Sequence, residues 1–270
     1  EEIGLLKPQL LQFEQMIMRP HGMALVTGPT GSGKTSTLYA ALNTLNGENT
    51  NLVTIEDPVE YQLEGITQVQ VDANIGLNFS DGLRSILRQD PDVIMVGEIR
   101  DSDTARIAIR AALTGHLVFS TLHTNTALGA IDALMHLGVA PFMMSNSLIG
   151  ILSQRLVRSL CPDCRRGQKI TEDIARQMRL DSVPRKRIYQ ARGCDECFGS
   201  GYVGRTGVFE VISVNEKIRS MIAHPKFKSE ELEKFTRDHG MMSIYEAGVQ
   251  KVLDGETSMD EINRKLMLEL

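Results

Sequence analysis

The chain has no tryptophan, few other aromatics (5%) and no surplus of positive charge, with 34 Asp and Glu against 29 Lys and Arg. Nucleic-acid-binding domains are usually basic, and grooves for single strands interleave aromatics with cations. Neither pattern is present, which argues against a nucleic-acid partner. No apolar run approaches the roughly 20 residues needed to cross a bilayer, and no secretory leader is visible. A cytoplasmic protein is expected, reaching any membrane through partners. The chain opens on Glu1-Glu2 rather than Met, as an excised fragment would. Its 270 residues allow one large or two modest domains with ample core.

What is present is more specific. Gly28-Pro29-Thr30-Gly31-Ser32-Gly33-Lys34-Thr35 fits the pattern G-x-x-x-x-G-K-[ST] at every position. The glycines let the backbone curl so that successive N–H groups aim at one anion. Lys34 is placed to reach the β- and γ-phosphates, and the Thr35 hydroxyl suits Mg²⁺. Met23–Thr27 reads as a buried strand entering the loop, and 34–45 as a helix whose amino end faces the phosphates. ATP is therefore the expected ligand, held by Pro29, Thr30, Gly31, Ser32, Gly33, Lys34, Thr35 and Ser36. An ordinary glycine-rich turn is the rival reading.

Residues 3–22 read as a helix or helix-turn. Further strands are expected at 52–55, 67–71, 93–96 and 117–121, and helices at 79–88, 102–113, 127–137 and 141–156. This alternation predicts an α/β sheet covered on both faces, with ligands at the carboxyl ends of the strands. After Leu160 the texture turns to Cys, Pro, Arg and Gly. From about Ser213 it is helical again, ending in an amphipathic segment at 259–270. The expected division is a core at 1–158, a cysteine-bearing subdomain at 159–205 and a mostly helical subdomain at 206–270.

Several polar groups fall at the ends of these elements. The buried run Val93–Val96 delivers Glu98 just past its carboxyl end, where it either polarises an attacking water, acts through Mg²⁺, or sits in a plain surface loop. Glu56, Asp57 and Glu60 cluster after the strand at 52–55, which Pro58 stops. Such a cluster is either solvated or a second source of water and Mg²⁺ contacts. His116 and His123 bracket the strand at 117–121, as structural residues or as sensors of the γ-phosphate. Arg84 and Arg88 share one helix face near Arg100; each serves in an ion pair or in phosphoryl transfer across a subunit interface.

Cys161-x-x-Cys164 and Cys194-x-x-Cys197 use every cysteine of the chain, with residues 165–193 between them. Disulfides are rare in the cytosol, and four thiolates suit tetrahedral Zn²⁺ with no open position, so the metal is structural. A redox dithiol is the rival, but no thioredoxin-like βαβ unit lies nearby.

Taken together, the chain resembles the ATPases of type II secretion and type IV pilus assembly. The likeness rests on the phosphate loop, on Thr54-Ile55-Glu56-Asp57-Pro58-Val59-Glu60-Tyr61, and on Leu87–Asp92 running into Val96-Gly97-Glu98-Ile99-Arg100-Asp101. Thr114-Gly115-His116 through Asn125 and Gly204-Arg205-Thr206-Gly207 extend it along nearly the whole chain. The resemblance implies a RecA-like core in a hexameric ring, working with an inner-membrane platform and cytoplasmic adaptors, peripheral to the inner membrane. It implies that Glu98 and Glu60 handle the water, and that His116 and His123 couple γ-phosphate loss to movement. The cysteine insert looks like that of the assembly and secretion branch and disfavours pilus retraction. The family's nucleotide-clamping domain before the core is not in this sequence, so weak hydrolysis and weak hexamer formation are expected of these residues alone. A nucleotide-gated docking module and a DNA-translocating relative are the alternative roles.

Overall fold

The computed structural model describes residues 3–224 and 227–266. Two compact units emerge. One takes Lys7–Ser153 and Val211–Met241; the other takes the residues up to Leu6, Gln154–Glu210, and those from Met242 on.

The first unit opens with helix α1 (Lys7–Ile17), strand β1 (Gly22–Thr27) and helix α2 (Lys34–Leu45). Then follow β2 (Leu52–Glu56), β3 (Thr67–Gln70), α3 (Phe79–Ile86), β4 (Val93–Val96), α4 (Ser102–Leu113) and β5 (Leu117–Leu122). Helices α5 (Gly129–His136) and α6 (Pro141–Ser147) precede β6 (Leu148–Leu160), which runs on into the second unit. The sheet order is β3-β2-β4-β5-β1-β6, with β9 (Tyr202–Ser213) beyond β6. All pairings from β3 to β6 are parallel. Strands β1, β2, β4 and β5 are buried at every position, as expected of a parallel sheet packed on both faces. Their apolar, β-branched runs suit that environment.

Register decides where the chemistry gathers. Thr27 lies opposite Leu122, Val96 opposite Ser120, and Ile55 opposite Val96. The loops after β1, β2, β4 and β5 therefore leave from one edge. Helix α4 buries Ala105, Ala108, Ile109 and Ala112 at helical spacing, and Asp101 caps its amino end by accepting from the amides of Asp103 and Thr104. Returning after β9, α8 (Glu216–Ile222) and α9 (Ser229–Asp238) bring Ile218, Ile222 and Leu232 into the same core.

The expected strands and most expected helices are present within a few residues. The exception is the helix expected at 141–156: it stops at Ser147, and Leu148 begins β6. A short apolar run does not tell a buried strand from a buried helix; here pairing with β1 decides. Gly150 permits the close approach, since a Cβ there would lie 2.1 Å from the Met16 sulfur. Residues 267–270 of the expected terminal amphipathic segment lie outside the described residues.

In the second unit, β7 (Arg166–Lys169) and β8 (Arg187–Gln190) pair antiparallel, with α7 (Glu172–Gln177) between them. Helices α10 (Ile244–Leu253) and α11 (Met259–Leu266) share its core with Val157, Ile170, Ile188 and Val208. Among the described residues no helix is long and apolar enough to cross a membrane.

Candidate functional site

Between β1 and α2 the chain turns through Gly28, Gly31 and Gly33, with φ of 146°, 75° and 87°. Such angles favour glycine, and they curl the loop into an anion-sized cradle. Helix α2 starts at Lys34 without a side-chain cap, leaving its first amides for another acceptor. The Lys34 ammonium donates to the loop's own carbonyls at Gly28 (2.9 Å) and Pro29 (3.1 Å), which holds it over the cradle. Ser32 Oγ is buried without a partner among the described residues. An orphaned hydroxyl, uncapped helix amides and a poised ammonium fit a polyphosphate. Thr35 is half-buried beside them; Thr30 and Ser36 are exposed.

Glu98 leaves the same edge two residues after β4. Gly97 makes the turn possible: a Cβ there would meet the Ile55 carbonyl oxygen at 3.2 Å and Glu56 Cα at 3.3 Å. Thr121 Oγ1 donates to the Gly97 carbonyl at 2.7 Å and fixes it. One Glu98 oxygen is 3.0 Å from His123 Nε2, and the other takes the Arg100 guanidinium. Burial opposes its charge, but Arg100 and then His123 hold the carboxyl below its ordinary range. Arg100 also reaches Asp57 at 3.5 Å, so it joins the loop after β2 to the loop after β4.

Glu56 is differently placed. It is buried, and both oxygens are occupied: Oε2 accepts from Tyr39 at 2.5 Å, and Oε1 from Thr54 at 2.5 Å and Gln68 at 3.2 Å. Burial first, then Glu56, pushes the Tyr39 hydroxyl well above its usual range, so it stays a donor. Glu60 is exposed on the loop that follows.

The structure thus brings the phosphate loop, Glu98 and His123 to one edge, with the loop carrying Asp57 and Glu60 tied to them through Arg100. It does not bring His116 there. That residue precedes β5 at the opposite edge, its Nδ1 3.0 Å from the Ala111 carbonyl oxygen and its own carbonyl accepting from Gly22. Arg88 is exposed after α3, beside the Gln89–Asp90 turn that Asn51 holds ahead of β2, also away from the loop. Sequence patterns did not single out Tyr39 or Gln68, because no spacing rule links a helix, a strand end and an edge strand.

The four cysteine sulfurs lie within 4.8 Å of one another. Cys161–Cys194, Cys164–Cys197 and Cys194–Cys197 are 3.9, 3.8 and 3.7 Å apart. A tetrahedron with metal–sulfur bonds of about 2.3 Å has edges of about 3.8 Å. Amides of Cys194 and Gly201 point at Cys197 Sγ, and that of Gly193 at Cys164 Sγ, as thiolates require. Burial opposes the charge of Cys197, yet these donors bring its thiol down to about 6. The donor set fits a closed four-thiolate metal centre.

A parallel sheet with this glycine loop between β1 and α2, and an acidic residue just past β4, defines a RecA-like phosphate-loop fold. Residues 1–264 match the family described as Type II/IV secretion system protein, and the chain belongs to that family. It is 50% identical over 252 residues to type II secretion system protein E of Aeromonas hydrophila, covering 93% of this chain and 50% of the relative. With the protein of the same name from Pseudomonas aeruginosa it shares 48% over 264 residues, 98% of this chain and 52% of that one. The chain spans about half the length of the curated relatives it matches. The solved structure of the pilus retraction motor PilT with bound ADP superposes with a TM-score of 0.71 at 28% identity, covering 97% of this chain and 65% of that one. The Legionella pneumophila ATPase DotB (TM-score 0.69, 21% identity, covering 99% of this chain and 64% of that one) shares the fold.

Proposed function

We propose that this chain is the ATP-hydrolysing motor of a type II secretion or type IV pilus assembly machine. The observation that carries the reading is the meeting of the glycine loop and the Glu98–His123 pair at one sheet edge. Its relatives named type II secretion system protein E, one of them "Type II secretion system ATPase E" from Vibrio cholerae at 49% identity, supply the context.

Pro29 through Ser36 wrap the ATP phosphates, with Lys34 on the β- and γ-oxygens. Thr35 would hold Mg²⁺, which neutralises charge on the phosphates when bound. Glu98 orients the attacking water, and its low pKa keeps it ionised. Glu60 acts on the water from the acidic loop, while Glu56 braces that loop from below. His123 bridges Glu98 and the β5 end, so loss of the γ-phosphate is passed to the loop after β5. His116 and Arg88 lie away from the chain's own nucleotide. His116 therefore acts through the β1–β5 packing, and Arg88 acts on the nucleotide of a neighbouring subunit. Cys161, Cys164, Cys194 and Cys197 would hold Zn²⁺ as a staple. That centre favours assembly and secretion over retraction. The motor works as a hexameric ring in the cytoplasm, peripheral to the inner membrane through a platform protein and adaptors.

The test is ATP turnover over a series of protein concentrations, beside Glu98→Gln. Turnover that rises with concentration and drops by about 10²–10⁴-fold in the variant, with ATP still bound, is expected. Equal turnover in both proteins would refute the assignment.

A further inference from the structure

Helix α2, strand β3 and the loop after β2 are joined by a set of polar contacts that phosphate binding does not require. Gln68 and Gln70 lie two apart on β3 and so share a face. Gln68 Oε1 accepts from the Leu63 amide at 2.7 Å, and its Nε2 donates to the Tyr61 carbonyl at 3.2 Å. Gln70 Oε1 accepts from the Val59 amide at 3.2 Å. The loop is thus gripped at alternate backbone positions, 59, 61 and 63, on both sides of Glu60. Gln68 Nε2 also reaches Glu56 Oε1 and the Tyr39 hydroxyl, each at 3.2 Å. Tyr39 lies on α2, the helix that begins at Lys34, and its ring meets the Tyr61 ring edge-on at 4.7 Å.

We infer that Gln68 and Gln70 are positioning residues that clamp the acidic loop to the phosphate-binding helix, with buried Glu56 as their buttress and not a proton acceptor in the reaction. The physical case is one of occupancy. A carboxylate only 2% exposed, with three of its roughly four acceptor sites filled by Tyr39, Thr54 and Gln68, has no open path for a water. Exposed Glu60, on a backbone held at its flanks, has one. A loop of polar residues would otherwise wander, and an acid displaced by about 1 Å costs on the order of 10²-fold in rate. The glutamines convert a surface loop into a fixed platform.

This inference rests on the ATPase reading, so its test needs a second readout. Gln68→Ala, Gln70→Ala, Glu56→Gln and the exchange Glu56→Gln with Gln68→Glu would be made in the full chain under assembling conditions. Amide hydrogen exchange at Val59 and Leu63, and kcat and KM for ATP, would be followed in each. The expected result for Gln68→Ala is faster exchange at Leu63 and a kcat lower by about 10-fold or more, with KM almost unchanged. Gln70→Ala does the same at Val59. The double exchange restores one acid and one amide to the pocket and should recover turnover over Glu56→Gln alone. Unchanged exchange in Gln68→Ala, or faster exchange with wild-type kcat, overturns the clamp. Turnover abolished by Glu56→Gln and not recovered by the double exchange makes Glu56 a reacting group and overturns its role as buttress. If the unaltered chain does not hydrolyse ATP at all, the ATPase reading fails, and the exchange rates still decide whether the glutamines hold the loop.

Discussion

Glu98 holds Arg100 and His123 on one carboxylate, and with burial they set its titration. Arg100 contributes more than His123 to holding its pKa down against burial. A depressed pKa means that the ionised form persists as pH falls and is lost only through the lowered value. Arg100→Ala removes the larger of the two. The acid limb of the kcat/KM profile should then move to higher pH, which a pH–rate series would read; an unmoved limb would mean that Glu98 does not set it. The position of Glu98 was legible in the sequence, since a carboxylate that follows a buried run is delivered to the carboxyl end of its strand. Arg100 was visible only as one of three nearby arginines. It pairs with Glu98 two residues back along the chain and with Asp57, which only the fold brings near, while Arg84 pairs with Asp81 within its own helix.

Among the elements, α11 and the cysteine knuckles show how polar groups hold the second unit. Glu261 on α11 is fully buried and takes Arg158 at 2.7 Å and Arg264 at 2.6 Å. Burial raises its pKa, but Arg264 and Arg158 outweigh that and bring it down to about 2. Its folded pKa lies below the ordinary 4.5, so its contribution is complete above that value and fades as pH falls from about 4.5 to about 2. Thermal unfolding of Glu261→Gln should accordingly lose part of the acid dependence seen in the unaltered chain over that window. At the knuckles, metal analysis should find one zinc per chain, and Cys164→Ser should lose it along with several degrees of Tm. Four reactive thiols in the folded chain, without metal, would refute the centre. The C-x-x-C spacing announced each half of this cluster directly, because a pair needs only a tight turn. The apolar run from Leu148 was ambiguous for the opposite reason: burial on all sides erases the periodicity that separates strand from helix, and only pairing with β1 chose the strand.

For the whole molecule, an Arg88 that lies away from the glycine loop of its own chain predicts, on the proposed function, work shared between subunits. Turnover per chain should rise with protein concentration, and Arg88→Ala mixed with Lys34→Ala should regain activity over either variant alone. Mixtures no more active than their parts would place the complete site in one chain. The sequence by itself determined the glycine loop, the strand–helix alternation, Glu98 at a strand end and the two C-x-x-C pairs, because each depends on residues close along the chain. The tertiary structure alone decided which strand ends share an edge, and so that His123 joins the site and His116 does not. It likewise decided that Ile218, Ile222 and Leu232 return to the first core, and that Tyr39, Glu56 and Gln68 meet. Those outcomes depend on strand register and long-range packing, which no local pattern encodes.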